Sequence, residues 1–111
     1  MKVIESFLEK AWGDSVDNPK IEDIEVAIKE TQEMDDEHGA FWVGVFGEDD
    51  KEIVLEVSKY LTQTLILDPE NSNPETFNEK RSRAENWEEI LQNFKLLLNG
   101  EIDEILSRIT K

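Results

Sequence analysis

Two hydrophobic periods divide this chain. At the start, Ile4, Phe7, Leu8, Ala11 and Trp12 recur at helical spacing, and Gly13 follows where a left-handed residue would stop a helix. The spacing predicts a short amphipathic first helix. Asn18-Pro19 reads as a second helix start, because the asparagine oxygen can cap exposed amides and proline at the first helical position gives up no needed donor. Ile21, Ile24 and Ile28 then mark a buried stripe running to about Met34, where the polar run Asp35-Asp36-Glu37-His38-Gly39 ends it.

From Ala40 the period becomes two. Phe41, Val43 and Val45 share one face, Ile53, Leu55 and Val57 share the next, and the polar run 47–51 lies between them, which predicts a β-hairpin. A third strand over about Leu61 to Leu67 places Leu61, Leu65 and Leu67 on one side and Thr62, Thr64 and Ile66 on the other. Only Ser58, Lys59 and Tyr60 join it to the second strand. With no glycine, proline or asparagine there, a tight turn and a bent continuous strand both fit, and the turn is favoured.

Residues 68–81, containing Pro69, Asn71, Ser72, Asn73 and Pro74, read as a solvated loop. Ser82-Arg83-Ala84-Glu85 matches a capping box ahead of the apolar stripe Trp87, Ile90, Leu91, Phe94, Leu97 and Leu98. Beyond Asn99-Gly100, a last short helix carries Ile102, Ile105, Leu106 and Ile109. The order helix, helix, three strands, helix, helix predicts an α+β domain, a small antiparallel sheet of at least three strands with helices packed on one face. The other face would then hold Trp42, Phe46, Val54, Tyr60 and Thr62, with acidic loops at its ends. It is the natural site for a partner. Trp42 alternates against Phe41 and Val43, so it is either covered by a helix or an interface anchor, and the pattern leaves both open.

Charge sharpens this expectation. The formal net charge is -15 in 111 residues. Residues 30–79 carry 14 acidic side chains against Lys51 and Lys59, a net of -12, whereas the first 29 residues net -3 and the last 32 net zero. Such a field draws in cationic partners and repels nucleic acid and anionic lipid. The candidate partner-binding residues are therefore Asp35, Asp36, Glu37, Glu48, Asp49 and Asp50 as steering charges, with Trp42 and Tyr60 as anchors. An acidic run is also what a merely solvated, solubilising face looks like.

Catalytic and cofactor signals are weak. The single histidine, His38, sits among acids without further partners and reads as a solvated turn residue. The serines have no glycine-flanked elbow, and Gly44 and Gly47 form no phosphate-binding motif. Neither Asp35-Asp36-Glu37 nor Glu48-Asp49-Asp50 has the alternate spacing and closing glutamate of a calcium loop. Lys80, Arg81 and Arg83 are too few against the overall charge for a nucleic-acid groove. No enzyme, metal or cofactor is expected. With no cysteine and no continuous apolar segment at the start, the expectation is a cytoplasmic protein, monomeric or weakly dimeric, touching neither membrane nor nucleic acid.

The order of elements over residues 18–101, with Pro19 opening a helix, strands at 41–46, 52–58 and 61–67, and the helix 87–98 ending in Asn99-Gly100-Glu101, resembles the small immunity proteins of bacterial polymorphic toxin and contact-dependent inhibition systems. That resemblance implies a cytoplasmic antitoxin that blocks a cognate toxin domain, often a basic nuclease, by forming a complex with it. It carries over no site residue. The rival expectation is an acidic adaptor or structural subunit bound to another basic protein.

Overall fold

The computed structural model describes residues 1–48, 51–67 and 79–109. They form six strands and three helices: β1 (Val3–Lys10), β2 (Ser15–Asp17), α1 (Ile21–Glu33), β3 (Ala40–Gly47), β4 (Glu52–Ser58), β5 (Thr62–Leu67), β6 (Glu79–Arg83), α2 (Trp87–Leu98) and α3 (Ile102–Ile109). The strands make one antiparallel sheet in the order β2-β1-β3-β4-β5-β6. All three helices contribute to a single core on one face of it, an α+β architecture.

The core follows from the alternation read in the sequence. Phe41, Val43 and Val45, then Leu55 and Val57, then Leu65 are fully buried, and Ile24, Ala27, Ile90, Phe94, Leu97 and Ile105 close over them. Phe94 of α2 stacks on Phe41 of β3, ring centroids 5.3 Å apart. The buried amides of Asn93 and Gln63 are paired in a chain, whereas the buried Thr31 hydroxyl has no partner among the described residues. Asn93 donates to Gln63 Oε1 at 2.8 Å, Gln63 donates to Ser82 Oγ at 3.3 Å, and Arg108 Nε donates to Asn93 Oδ1 at 2.8 Å. This chain ties α2, α3, β5 and β6 together at little desolvation cost, because each buried amide keeps a partner.

The first element corrects the sequence expectation. Residues 3–10 are a central strand rather than a helix, paired with β3 along its length. Leu8 points into the core and Phe7 to the opposite face, so the neighbouring apolar pair that mimics helical spacing is split across the sheet. A β-bulge between Val3 and Glu5 shifts the register, so that Val3 packs on the core while Ile4 is exposed. Lys10, nearly buried, anchors the strand to α1 through Glu30 Oε1 at 2.6 Å. Gly13 does have the left-handed backbone expected of it, but in the β1–β2 turn.

Three boundaries also move. Asn18 does not cap α1: its backbone is left-handed, φ 50°, and its Oδ1 accepts from the Ser6 amide, while Lys20 occupies the cap position with its amide donating to Asp23. Ser58 to Tyr60 make a turn, closed by the Leu61 amide on the Ser58 carbonyl at 3.0 Å, and the left-handed Leu61 (φ 69°) delays the next strand to Thr62. Residues 79–81 belong to a strand, and Ser82 lies in it rather than at a helix start. The cap of α2 is Asn86, whose side chain accepts from the Glu89 amide at 2.9 Å. The polar β6 has no apolar alternation to betray it, as befits an edge strand whose lysine and arginines discourage further pairing. The rest of the loop expected at 68–81, namely 68–78, lies outside the described residues.

Candidate functional site

The sheet register builds the helix-free face row by row. One row sets Glu9, Trp42, Glu56, Thr64 and Arg81 side by side across β1, β3, β4, β5 and β6. The next sets Phe7, Gly44, Val54 and Ile66 side by side, and a third brings Glu5, Phe46 and Glu52 together. An apolar centre of Phe7, Trp42, Phe46, Val54 and Ile66 is thus crossed and bordered by carboxylates. Phe7, Glu9, Trp42, Glu52, Val54, Glu56 and Ile66 line a shallow recess of about 520 Å³.

Gly44 shapes that recess. A Cβ at this position would lie 2.2 Å from the Phe7 ring, so the missing side chain is what lets Phe7 lie flat across β3. Phe7 in turn contacts Phe46, with centroids 5.8 Å apart. Trp42 is half-buried, and its indole Nε1 donates to Glu9 Oε2 at 3.1 Å. Both Glu9 and Glu56 are exposed and flank Trp42 as direct cross-strand neighbours, with Cβ atoms about 5 Å away by sheet geometry. Among the described residues, neither Glu5 nor Glu56 enters an ion pair. Arg81, in the same row as Glu56 but two strands over, is held by Thr64 Oγ1 at 3.2 Å and Glu79 Oε1 at 3.0 Å.

The residues singled out from the sequence are not gathered in one place. Trp42 stands in the middle of the helix-free face. Asp35, Asp36 and Glu37 lie in the α1–β3 loop beside the β4–β5 turn that carries Tyr60, and Glu48 follows β3 at the opposite end of the sheet. Asp49 and Asp50 lie outside the described residues. Two of the loop acids are occupied locally. Asp35 Oδ1 accepts from the His38 amide at 2.8 Å and lies 2.9 Å from His38 Nδ1; the amide hydrogen bond, then the imidazole, hold the Asp35 carboxyl below its usual range. Asp36 accepts the Tyr60 hydroxyl, which raises the phenol above its usual range, and Lys59 Nζ approaches Asp36 at 3.7 Å while donating to the Met34 carbonyl at 2.5 Å. Glu48 pairs with Lys2 at 3.1 Å.

Glu5, Phe7, Glu9, Glu56 and Ile66 were missed by sequence reasoning. The alternation Glu5, Phe7, Glu9 holds the signal, and it becomes legible only when residues 3–10 are read as a strand next to β3. Among the described residues, no group of three or more His, Asp or Glu side chains could jointly hold a metal ion, and no helix is long and apolar enough to cross a membrane. No protein-family model, curated protein or solved structure matches the chain.

Proposed function

We propose that this is a binding protein that takes a basic protein partner on the helix-free face of its sheet, and that the partner is a cationic toxin domain such as a nuclease, neutralised by complex formation. The observation that carries the reading is the row Glu9–Trp42–Glu56 beside Phe7, Val54 and Ile66. It joins an apolar surface fit for a desolvated anchor to the carboxylates of Glu9 and Glu56, which enter no ion pair among the described residues. Binding would follow from physics rather than turnover. Long-range charge speeds encounter, and the half-buried aromatic centre slows dissociation. The toxin class comes from the resemblance to immunity proteins, since a nuclease must present cations to hold phosphate and an acidic inhibitor can cover them.

The test is capture of partners from the native host, co-expression with any basic toxin domain so recovered, and binding kinetics over a range of salt. Rescue of growth and a tight complex are expected. Replacing Glu5, Glu9 and Glu56 together by Gln should slow association by about tenfold and flatten its salt dependence, whereas Trp42→Ala should act mainly on dissociation. A tight complex whose association ignores salt and these three acids would overturn the assigned face. A basic partner that binds without loss of its own activity would replace the antitoxin by an adaptor.

A further inference from the structure

We infer that the recess beside Trp42 is an arginine-selective subsite, in which a partner's guanidinium lies against the indole between the carboxylates of Glu9 and Glu56. The inference rests on the docking face proposed above and names the side chain it accepts.

Three features favour a guanidinium over an ammonium. First, the indole is held in place. Its N–H is satisfied by Glu9 at 3.1 Å, so the ring offers a fixed surface rather than a mobile one. Planar guanidinium stacks on such a ring, being weakly hydrated on its faces, while its in-plane N–H groups reach carboxylates on either side. Second, the carboxylates stand on opposite sides of Trp42 in the same row, Glu9 on β1 and Glu56 on β4, and Glu56 is exposed. That spacing suits a forked donor. A compact ammonium would have to give up its hydration shell to reach both. Third, the recess continues over Val54, Ile66 and Phe7, an apolar floor for the methylene stem of an arginine. Among the described residues, the cation in the same row, Arg81, is engaged by Thr64 and Glu79 rather than by Glu56.

The experiment is a titration of the ¹⁵N-labelled protein with a capped Gly-Arg-Gly-Arg-Gly peptide, its lysine and citrulline counterparts, and polylysine. The three tryptophan indole resonances are followed, with Trp42 assigned by its loss in Trp42→Phe. The arginine peptide is expected to shift the Trp42 resonance saturably and to leave those of Trp12 and Trp87 in place. The lysine peptide should bind about five- to tenfold more weakly, citrulline should have no effect, and Glu56→Gln should cost the arginine peptide a similar factor. Glu104→Gln, on α3, serves as the unaffected control. Equal affinity for the arginine and lysine peptides, or indifference to Glu56→Gln, overturns the subsite. If polylysine moves the resonances of this face and the arginine peptide does no better, the subsite falls and the docking face stands. If neither moves them, both fall.

Discussion

At the scale of single residues, Gly44 and Phe7 show how an absent side chain shapes a surface. Because a Cβ on Gly44 would overlap the Phe7 ring, Gly44→Ala should displace that ring and destabilise the fold by about 1–3 kcal/mol. In a Phe7→Ala background the same change should be neutral or stabilising, since alanine restricts the unfolded strand more than glycine does. Denaturant melts of the four proteins in the cycle give the coupling directly, and additive effects would show that the ring does not rest on Gly44. Tyr60 offers a second residue-scale readout, being the only tyrosine. Its hydroxyl donates to Asp36, so the folded state holds the phenol proton more tightly than the unfolded state does. The contact therefore adds stability below the ordinary phenol value of 10.0 and loses it as pH rises through the folded, higher value. Absorbance titration of phenolate should show a midpoint above 10.0, falling toward it in Asp36→Asn.

At the scale of elements, α2 holds the sheet face shut through Phe94 on Phe41. Phe94 is fully buried, so Phe94→Ala should cost about 3–5 kcal/mol in denaturant melts. A loss below about 1 kcal/mol would mean that the helix docks some other way. The elements with one clean period were legible from sequence: α1, β3, β4, β5 and α2 lie close to where alternation or helical spacing put them. β1 and β6 were not. In β1 the apolar Phe7 and Leu8 point to opposite faces among Glu5, Ser6, Glu9 and Lys10, and in β6 neither face is apolar because it lies on an edge. Periodicity detects one apolar face, and strands that split their few apolar residues between faces or carry none escape it.

At the scale of the whole molecule, the charge of -15 is a standing repulsion within a small body. Its ion pairs are few and mostly exposed among the described residues, so they offset little of it. Raising salt from low to physiological ionic strength should increase the Tm, because screening over about 8 Å weakens the repulsion without touching the buried core. A Tm that is flat or falls with salt would show that the acids are locally compensated. The same field, aimed outward, is what gives the proposed docking face its long reach.

What the amino-acid sequence determined by itself was the class of the fold, the main core and the sign of the field, because these depend on local period and on composition. Trp42 too was visible as a residue on the side opposite Phe41 and Val43, with the choice between a helix-covered and an open position left to the fold. Its neighbours were not. Glu9, Phe7, Glu56 and Ile66 come from three different strands, and only strand pairing brings them into one row or the next. The acidic runs that stand out in sequence are instead partly tied down in turns, Asp35 to His38 and Asp36 to Tyr60. Tertiary structure decided the site, because a sheet assembles its surface across strands while a sequence displays only what lies along one.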